Sequence, residues 1–543
     1  MKQTLFFICL LIDAFAVNAQ YSFTGFDLNF SGSSNPASIT VSNGNMYFSA
    51  EHATSGEELW ISNGWFGGTA MVKDINPLGS SYPQYLVGNN KKLFFSADNG
   101  SDGVEIWWTD GTAVGTKMIK DIVPGNASSN PQLLTAYYEN VIFRAYTPAN
   151  GYELWITNGT DIGTRMVKDI NHGSNSSSPA AFHLYGGRIY FAAEDGANGA
   201  ELWVTDGTVS GTQMLKDINP GANSSNPGAF TECNGKLFFT ADSDPMLNGQ
   251  ELWITDGTTA GTQMVKDINP LSAPGFTGAG LIAYHNKVYL AGNDPVYGME
   301  LFVSDGTTAG THMVSDINNA GDSYPKYFCV YNDKLYFNAL TPTEGYELWA
   351  TDGTAVGTHL VSDIFTGGSS DPRNLKVYGN RLVFTANKAT ADRQVYVSNG
   401  TAIGTNSIMP LSATKTDPIA SFSPLVEYNN SLYYQANYNS IGNELWSLKD
   451  TILYNHISQT QLWADCSIYP NPCSNSFTIK NEKSYFPEGT MLNIYNLLGQ
   501  VIKSETLNRQ NEAVIRVDNV PKGVYIVKIS IGDIEMTRRL AIE

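Results

Sequence analysis

Charge is scarce in this chain. Only 15% of its 543 residues are charged, and 32 Lys and Arg face 51 Asp and Glu, a net charge of −19. Clustered basic residues are missing, so a phosphate backbone finds no partner and nucleic acid is excluded as a ligand. Cysteine is nearly absent, at five residues. Cys9 falls in the leader, Cys233 and Cys329 fall in separate repeats, and Cys466 and Cys473 could form only a local bridge. That excludes a disulfide scaffold, and no spacing fits a zinc site. The seven His are scattered without a metal-binding pair. No Ser or Cys stands in a nucleophile motif.

Long apolar runs are missing too. Leu5 to Leu11 is too short to span a bilayer. With Lys2 before it and Val17-Asn18-Ala19 after it, residues 1–19 read as a signal peptide. The mature chain, from Gln20, has no transmembrane segment.

Turn formers and aromatics are plentiful instead. The chain holds 51 Gly, 29 Tyr and 25 Phe, a composition suited to strands joined by tight turns. The motif Glu-Leu-Trp, with Ile106 for Leu in one copy and Phe302 for Trp in another, recurs with its glutamate at Glu58, Glu105, Glu153, Glu201, Glu251, Glu300, Glu347 and Glu444, at intervals of 47 to 50 residues. Gln394-Val395-Tyr396 fills the one gap, which makes nine modules. Each carries four strand-like runs. In module 4 these are 180–185, 188–192, 201–205 and 213–218, with Gly186-Gly187 and Asp206-Gly207-Thr208 as hairpin turns. Four short strands repeated at this length make a propeller blade.

The chain ends support the same reading. Residues 27–36 match 74–83 in spacing, so the mature chain opens on a lone fourth strand, while module 9 lacks its own. The opening strand is expected to complete the last blade. The fold class is therefore all-β: a propeller of about nine four-stranded modules (eight or nine blades) over 20–450, a linker over 451–465, and a small Ig-like β-sandwich over 466–543.

The paired Glu-Leu-Trp and Asp-Gly-Thr elements resemble the ELWxxDGT-repeat family, which implies no known reaction. The turn is also loosely similar to the Asp-box hairpins of sialidase propellers. After residue 450 the pattern changes to Ile468-Tyr469-Pro470-Asn471-Pro472, Leu492-Asn493-Ile494-Tyr495, Pro521-Lys522-Gly523-Val524-Tyr525 and Arg538-Arg539-Leu540. This stretch resembles a type A C-terminal sorting domain of the type IX secretion system. The resemblance implies export to the surface of a Gram-negative bacterium. It also implies removal of the tail by a surface sortase, with the passenger released or attached to lipopolysaccharide.

Within the repeat, the ring of the Trp position reads as packing between sheets. Asp and Asn alternate before the turn glycine, as in Asp110 and Asn158, so the position reads as turn chemistry and not as a metal or acid site. Lys73, Lys120, Lys168, Lys216 and Lys266 share one place in the fourth strand, where a cross-strand pair with the motif Glu is expected but not obligatory.

Function should lie where the modules differ. The loop between second and third strands varies most and shares a face with the loop before the first strand. Its acidic and aromatic residues Asp98, Asp102, Glu194, Asp195, Asp242, Asp244, Asp294 and Tyr297 form the candidate binding set. They offer oxygen ligands for weak Ca²⁺ binding, although none matches the full calcium-loop spacing; no other cofactor is indicated. The resulting expectation is a secreted, non-catalytic binding or adhesion protein with a glycan or protein ligand. The alternative is a sialidase-like glycoside hydrolase, which needs three converging arginines. Only Arg144, Arg373 and Arg393 lie outside the repeat pattern.

Overall fold

The computed structural model describes residues 20–543 except 244–248, 271–273, 277–279, 411–412, 415–417, 420–423, 440–441, 452–465, 482–489, 497–499, 508–510 and 532–533. The signal peptide, nearly all of the linker and Asp244 lie outside the described residues. Two compact units are present, one running through Leu448 and one covering the C-terminal residues. No helix among the described residues is long and apolar enough to cross a membrane.

The first unit contains nine four-stranded antiparallel sheets. Module 4 is typical, with strands Ala180–Tyr185, Arg188–Glu194, Ala200–Thr205 and Gln213–Lys216 paired in chain order. Module 9 has Val426–Tyr428, Ser431–Ala436 and Glu444–Asp450, and its fourth strand is Tyr21–Phe26 from the chain start. First strands of neighbouring modules approach one another, so they form the inner edge of the array.

Packing between modules follows the alternation of the third strand. Leu59 and Tyr47 of module 1 pack on Phe95 and Trp107 of module 2. Leu202 of module 4 meets Phe239 and Trp253 of module 5 in the same way. The Trp thus faces the preceding module and the Leu the following one. Module 9 meets module 1 through Tyr428, Tyr433 and Leu445 against Met46, Phe48 and Trp60.

The motif glutamate has a role that strand alternation does not reveal. Among the described residues it pairs with no lysine. Glu201 is fully buried, and its carboxylate accepts from the amides of Ile218 (2.6 Å), Asn219 (3.3 Å) and Ser225 (2.9 Å) and from the Ser225 hydroxyl (2.7 Å). Those donors lie in the connection from module 4 to module 5. Glu58, Glu105, Glu153 and Glu347 clamp their connections likewise. In module 9, Glu444 takes the amides of Leu28 and Ser34, which follow the opening strand. The lysines reach forward instead. Lys73, Lys168, Lys216 and Lys266 donate to the carbonyls of Thr116, Thr212, Thr262 and Thr311 in the next module. A buried carboxylate needs several donors, and the connection's free amides supply them where one mobile ammonium would not.

The third-to-fourth strand turn follows its expected chemistry. Asp110 Oδ1 accepts from the Thr112 amide at 2.9 Å and hydroxyl at 2.7 Å, and Asn158 does the same for Thr160 at 3.1 and 2.7 Å. The next glycine has positive φ in all eight turns, for example 94° at Gly111.

The C-terminal unit is a sandwich. Three strands (Cys466–Tyr469, Ser476–Asn481, Glu512–Arg516) face four (Thr490–Tyr495, Val501–Leu507, Gly523–Ile531, Ile534–Ile542). Phe477, Ile479, Leu492, Ile494, Ile515, Val527 and Leu540 fill the space between them. Cys473 is a buried free thiol, so the local bridge to Cys466 is not formed. Asn471 pins the last strand, donating to the Arg539 carbonyl and accepting from the Ala541 amide.

Candidate binding face

Two kinds of connection meet on one face of the propeller unit. The Val104 amide, after the second-to-third strand loop, donates to Ser128 Oγ in the connection to the next module. Ala200 and Ser224 repeat the contact. The upper ends of the first strands rise to this same face. The hairpin turns of the modules lie on the other, where Tyr433 donates to the Gly64 carbonyl.

The expected loop residues stand on this face, and most carboxylates cap their own turn. Asp98 Oδ1 accepts from the Gly100 amide, and Asp102 Oδ2 from the Asn99 amide group. Asp294 Oδ1 accepts from the amides of Val296 and Tyr297. Burial opposes ionisation of Asp195, yet the amides of Ala197 and Asn198 and the Asn198 side chain outweigh it and hold the carboxyl below its ordinary value. Glu194 and Asp242 each end a second strand. Tyr297 is exposed. The loops belong to separate modules, and no group of three or more His, Cys, Asp or Glu able to hold a metal ion occurs among the described residues.

The inner edge varies more than the loops suggest. Each first strand of modules 1 to 5, 7 and 8 shifts register after its first residue. The second residue there takes a left-handed backbone, as at Ser38 (φ 55°), Tyr85 (55°), Leu133 (56°) and Tyr327 (59°). That conformation costs a non-glycine residue energy, and it re-aims the strand end. The first residue differs by module: Ala37, Gln84, Gln132, Ala180, Gly228, Lys326, Arg373. The hydrophobic interior repeats almost unchanged beneath these positions.

Two features stand out along this edge. Between modules 1 and 2 lies an open groove of about 500 Å³, lined by Ser38, Thr40, Ser49, Glu57, Gln84 and Tyr85 among others. Between modules 7 and 8 lies a charge cluster. Arg373 Nε donates to Asp371 Oδ2 at 2.6 Å, and Arg393 Nη2 lies 3.2 Å from the same oxygen. Asn338 Nδ2 donates to Asp371 Oδ1 at 2.9 Å. Lys326 Nζ stands 3.9 Å from that oxygen and 4.3 Å from the Tyr346 ring centre.

Of the three unusual arginines, the fold therefore brings two together. Arg144 belongs to module 3, where it donates to Gln132 Oε1 and stacks over Tyr152. Arg393 is 3% exposed and also donates to the Asp371 and Thr385 carbonyls. The sequence singles out both arginines of the pair but neither Asp371 nor Lys326. Lys326 does carry a signal, a charged residue where other modules start the first strand with Ala, Gln or Gly, whereas Asp371 stands where they carry Asn, Tyr or Ser.

Residues 467–543 match the family described as secretion system C-terminal sorting domain. That tail implies handling by the type IX secretion machinery and a surface or extracellular location. An ulvan lyase of Nonlabens ulvanivorans is 28% identical over 105 residues, 19% of this chain and 18% of that protein. The chain thus spans less than a fifth of that relative's length. Among solved structures, a puromycin-hydrolyzing peptidase of Mycobacterium tuberculosis is similar with 12% identity and a TM-score of 0.34, over 68% of this chain and 62% of that one. The β-propeller domain of the Trilobed protease from Pyrococcus furiosus is similar with 11% identity and a TM-score of 0.30, over 61% and 98%. At these values no activity transfers to this chain.

Proposed function

We propose that the propeller is a non-catalytic binding or adhesion module, displayed outside the cell by its sorting tail, that meets a glycan or protein ligand on the face just described. One observation carries the reading. The interior repeats from module to module, whereas side chains diverge at the loops and first-strand starts of a single face. In a repeat protein such divergence marks recognition, because packing alone would favour the same residue each time. The nine sheets are read as a closed ring. The contact of module 9 with module 1, including the Tyr428 hydroxyl on the Gly44 carbonyl at 2.8 Å, supports that reading. The absence of a catalytic role is supported by the separation of Arg144 from the other two arginines. Weak Ca²⁺ binding by the acidic loops stays part of the proposal only as a stabiliser of their turns.

A glycan array run beside a hydrolysis assay tests this. Binding without turnover is expected, lost when the loops carrying Asp98, Asp102, Glu194, Asp195 and Tyr297 and the groove residue Tyr85 are replaced. Turnover of a glycan, or binding that survives every such replacement, refutes it. Deletion of residues 466–543 should leave the propeller in the periplasm; undiminished surface display would remove the export half of the proposal.

A further inference from the structure

The cluster between modules 7 and 8 is unlike the rest of this surface. In a chain with many more acids than bases, three cations gather around one aspartate: Lys326, Arg373 and Arg393 around Asp371. Their side chains are unequally covered. Arg393 is 4% exposed, Arg373 22%, Lys326 28%, and Asp371 15%. Both arginines take Asp371 Oδ2, and Asn338 donates to Oδ1. Asp371 is therefore engaged by its neighbours, and Lys326 remains at 3.9 Å, beyond hydrogen-bond distance.

Lys326 is held in place all the same. Its ammonium lies 4.3 Å from the Tyr346 ring centre and 5.5 Å from that of Tyr327. Burial pushes the ammonium below its ordinary pKa, against the pull of Asp371, and the Arg373 charge adds to the fall. A cation so placed gains from an oxyanion that supplies the acceptor Asp371 does not. Arg373 lies beside the same ring, 5.9 Å from the Tyr327 centre. Tyr327 and Tyr324 are 38% and 41% exposed and offer flat apolar area next to the charges. Cations set beside partly exposed rings suit a sugar that bears an acidic group: the ring packs on the tyrosine and the oxyanion meets the cations.

We infer that the upper inner edge of modules 7 and 8 is a subsite for an oxyanion-bearing saccharide, with Lys326 and Arg373 as its anion contacts and Tyr327 as its packing surface. This deepens the binding reading above and rests on it. Arg393 and Asn338 are positioning residues that fix Asp371, and through it Arg373.

Calorimetric titration of the purified full-length chain with polygalacturonate, a sulfated galactan and an uncharged galactan of matched length tests the assignment. Binding of a charged polymer is expected, and which one binds identifies carboxylate or sulfate as the anion. Lys326→Ala should weaken it at least tenfold while the melting midpoint stays put, because among the described residues this lysine donates no hydrogen bond. Arg373→Lys keeps the charge and loses the planar fork, and should weaken binding less than Arg373→Gln. Lys236→Ala, on the opposite face, should change nothing. Charged-polymer binding that is indifferent to Lys326→Ala overturns the subsite, as does binding of the uncharged galactan alone. The latter result would leave the wider binding reading standing. If neither these polymers nor any array member binds, both fall.

Discussion

Replacing Glu201 with alanine isolates the clamp that joins one module to the next. The carboxylate accepts four hydrogen bonds in a site with no solvent exposure. Two of the donors have a second option, since the Ser225 amide and hydroxyl also reach the Ala200 carbonyl at 3.0 and 3.3 Å. The amides of Ile218 and Asn219 have no such alternative in the clamp. Each buried donor left unpaired costs about 1–3 kcal/mol. Relief of the carboxylate's own desolvation and entry of water into the vacated space offset part of that. The expected net loss is about 3 kcal/mol. Ser225→Ala, which removes one hydroxyl bond, should cost about 1 kcal/mol. Glu194→Ala, in the neighbouring loop, should stay within about 0.5 kcal/mol. Chemical denaturation gives the global values. Amide exchange gives the local one, and protection at Ile218 and Asn219 should fall about 100-fold, the equivalent of roughly 3 kcal/mol. If Glu201→Ala costs no more than Glu194→Ala, and those amides keep their protection, the glutamate is not the clamp described here.

Three further outcomes are expected. Burial lifts the carboxyl pKa of Glu105, Glu251 and Glu300 from 4.5 to about 7. The folded state then holds these protons more tightly than the unfolded chain, so their contribution is full below pH 4.5 and is lost as pH rises through 7. The propeller's melting midpoint should fall between pH 5 and pH 8; a rise across that window refutes the assignment. Asp206→Asn should change stability by less than about 0.5 kcal/mol, because Asn158 and Asn399 already serve the same turn. Asp206→Ala should cost about 1 kcal/mol by thermal melting, and equal losses for the two would show that the side-chain oxygen is not what matters. Tyr428→Phe should cost about 1 kcal/mol by removing its bond to Gly44. An unchanged midpoint would mean that modules 9 and 1 do not depend on that contact.

Much of this was legible because the repeat exposes its own rules. The Asp110/Asn158 exchange separates turn geometry from charge, and Phe302 and Tyr396 mark the Trp place as packing. The match of 27–36 to 74–83 pointed to the opening strand. Other features left no such trace. Alternation told which way Glu201 faces, not that its partners lie 17 to 24 positions on, across a loop. A second ring of contacts was hidden by substitution. Tyr137, Tyr185, Tyr284, Tyr331, Tyr378 and Tyr428 each donate to the hairpin turn of the following module. Ser42, Asn89 and Cys233 hold the same place elsewhere, so no single residue type flags it. The left-handed positions are occupied by Ser38, Tyr85, Leu133 and Ala181, with no glycine to announce them. The charge cluster is not legible as a unit, because Asp371 and Arg393 are brought together by folding across a hairpin, and Lys326 by the neighbouring module.

The membership of residues 21–26 in the last sheet has a cost in time. These residues are made long before their partners, which come near the end of the passenger; Leu28 and Glu444 are 416 positions apart. Bringing such distant segments together costs roughly 5 kcal/mol of chain entropy. Until module 9 is made, the leading strand has nothing to pair with, and a bare strand invites other chains. A passenger that loses residues 21–26 or module 9 fails at the same seam. Completion of synthesis is thereby written into the fold: only a chain that has kept both its beginning and its ninth module can finish the sheet.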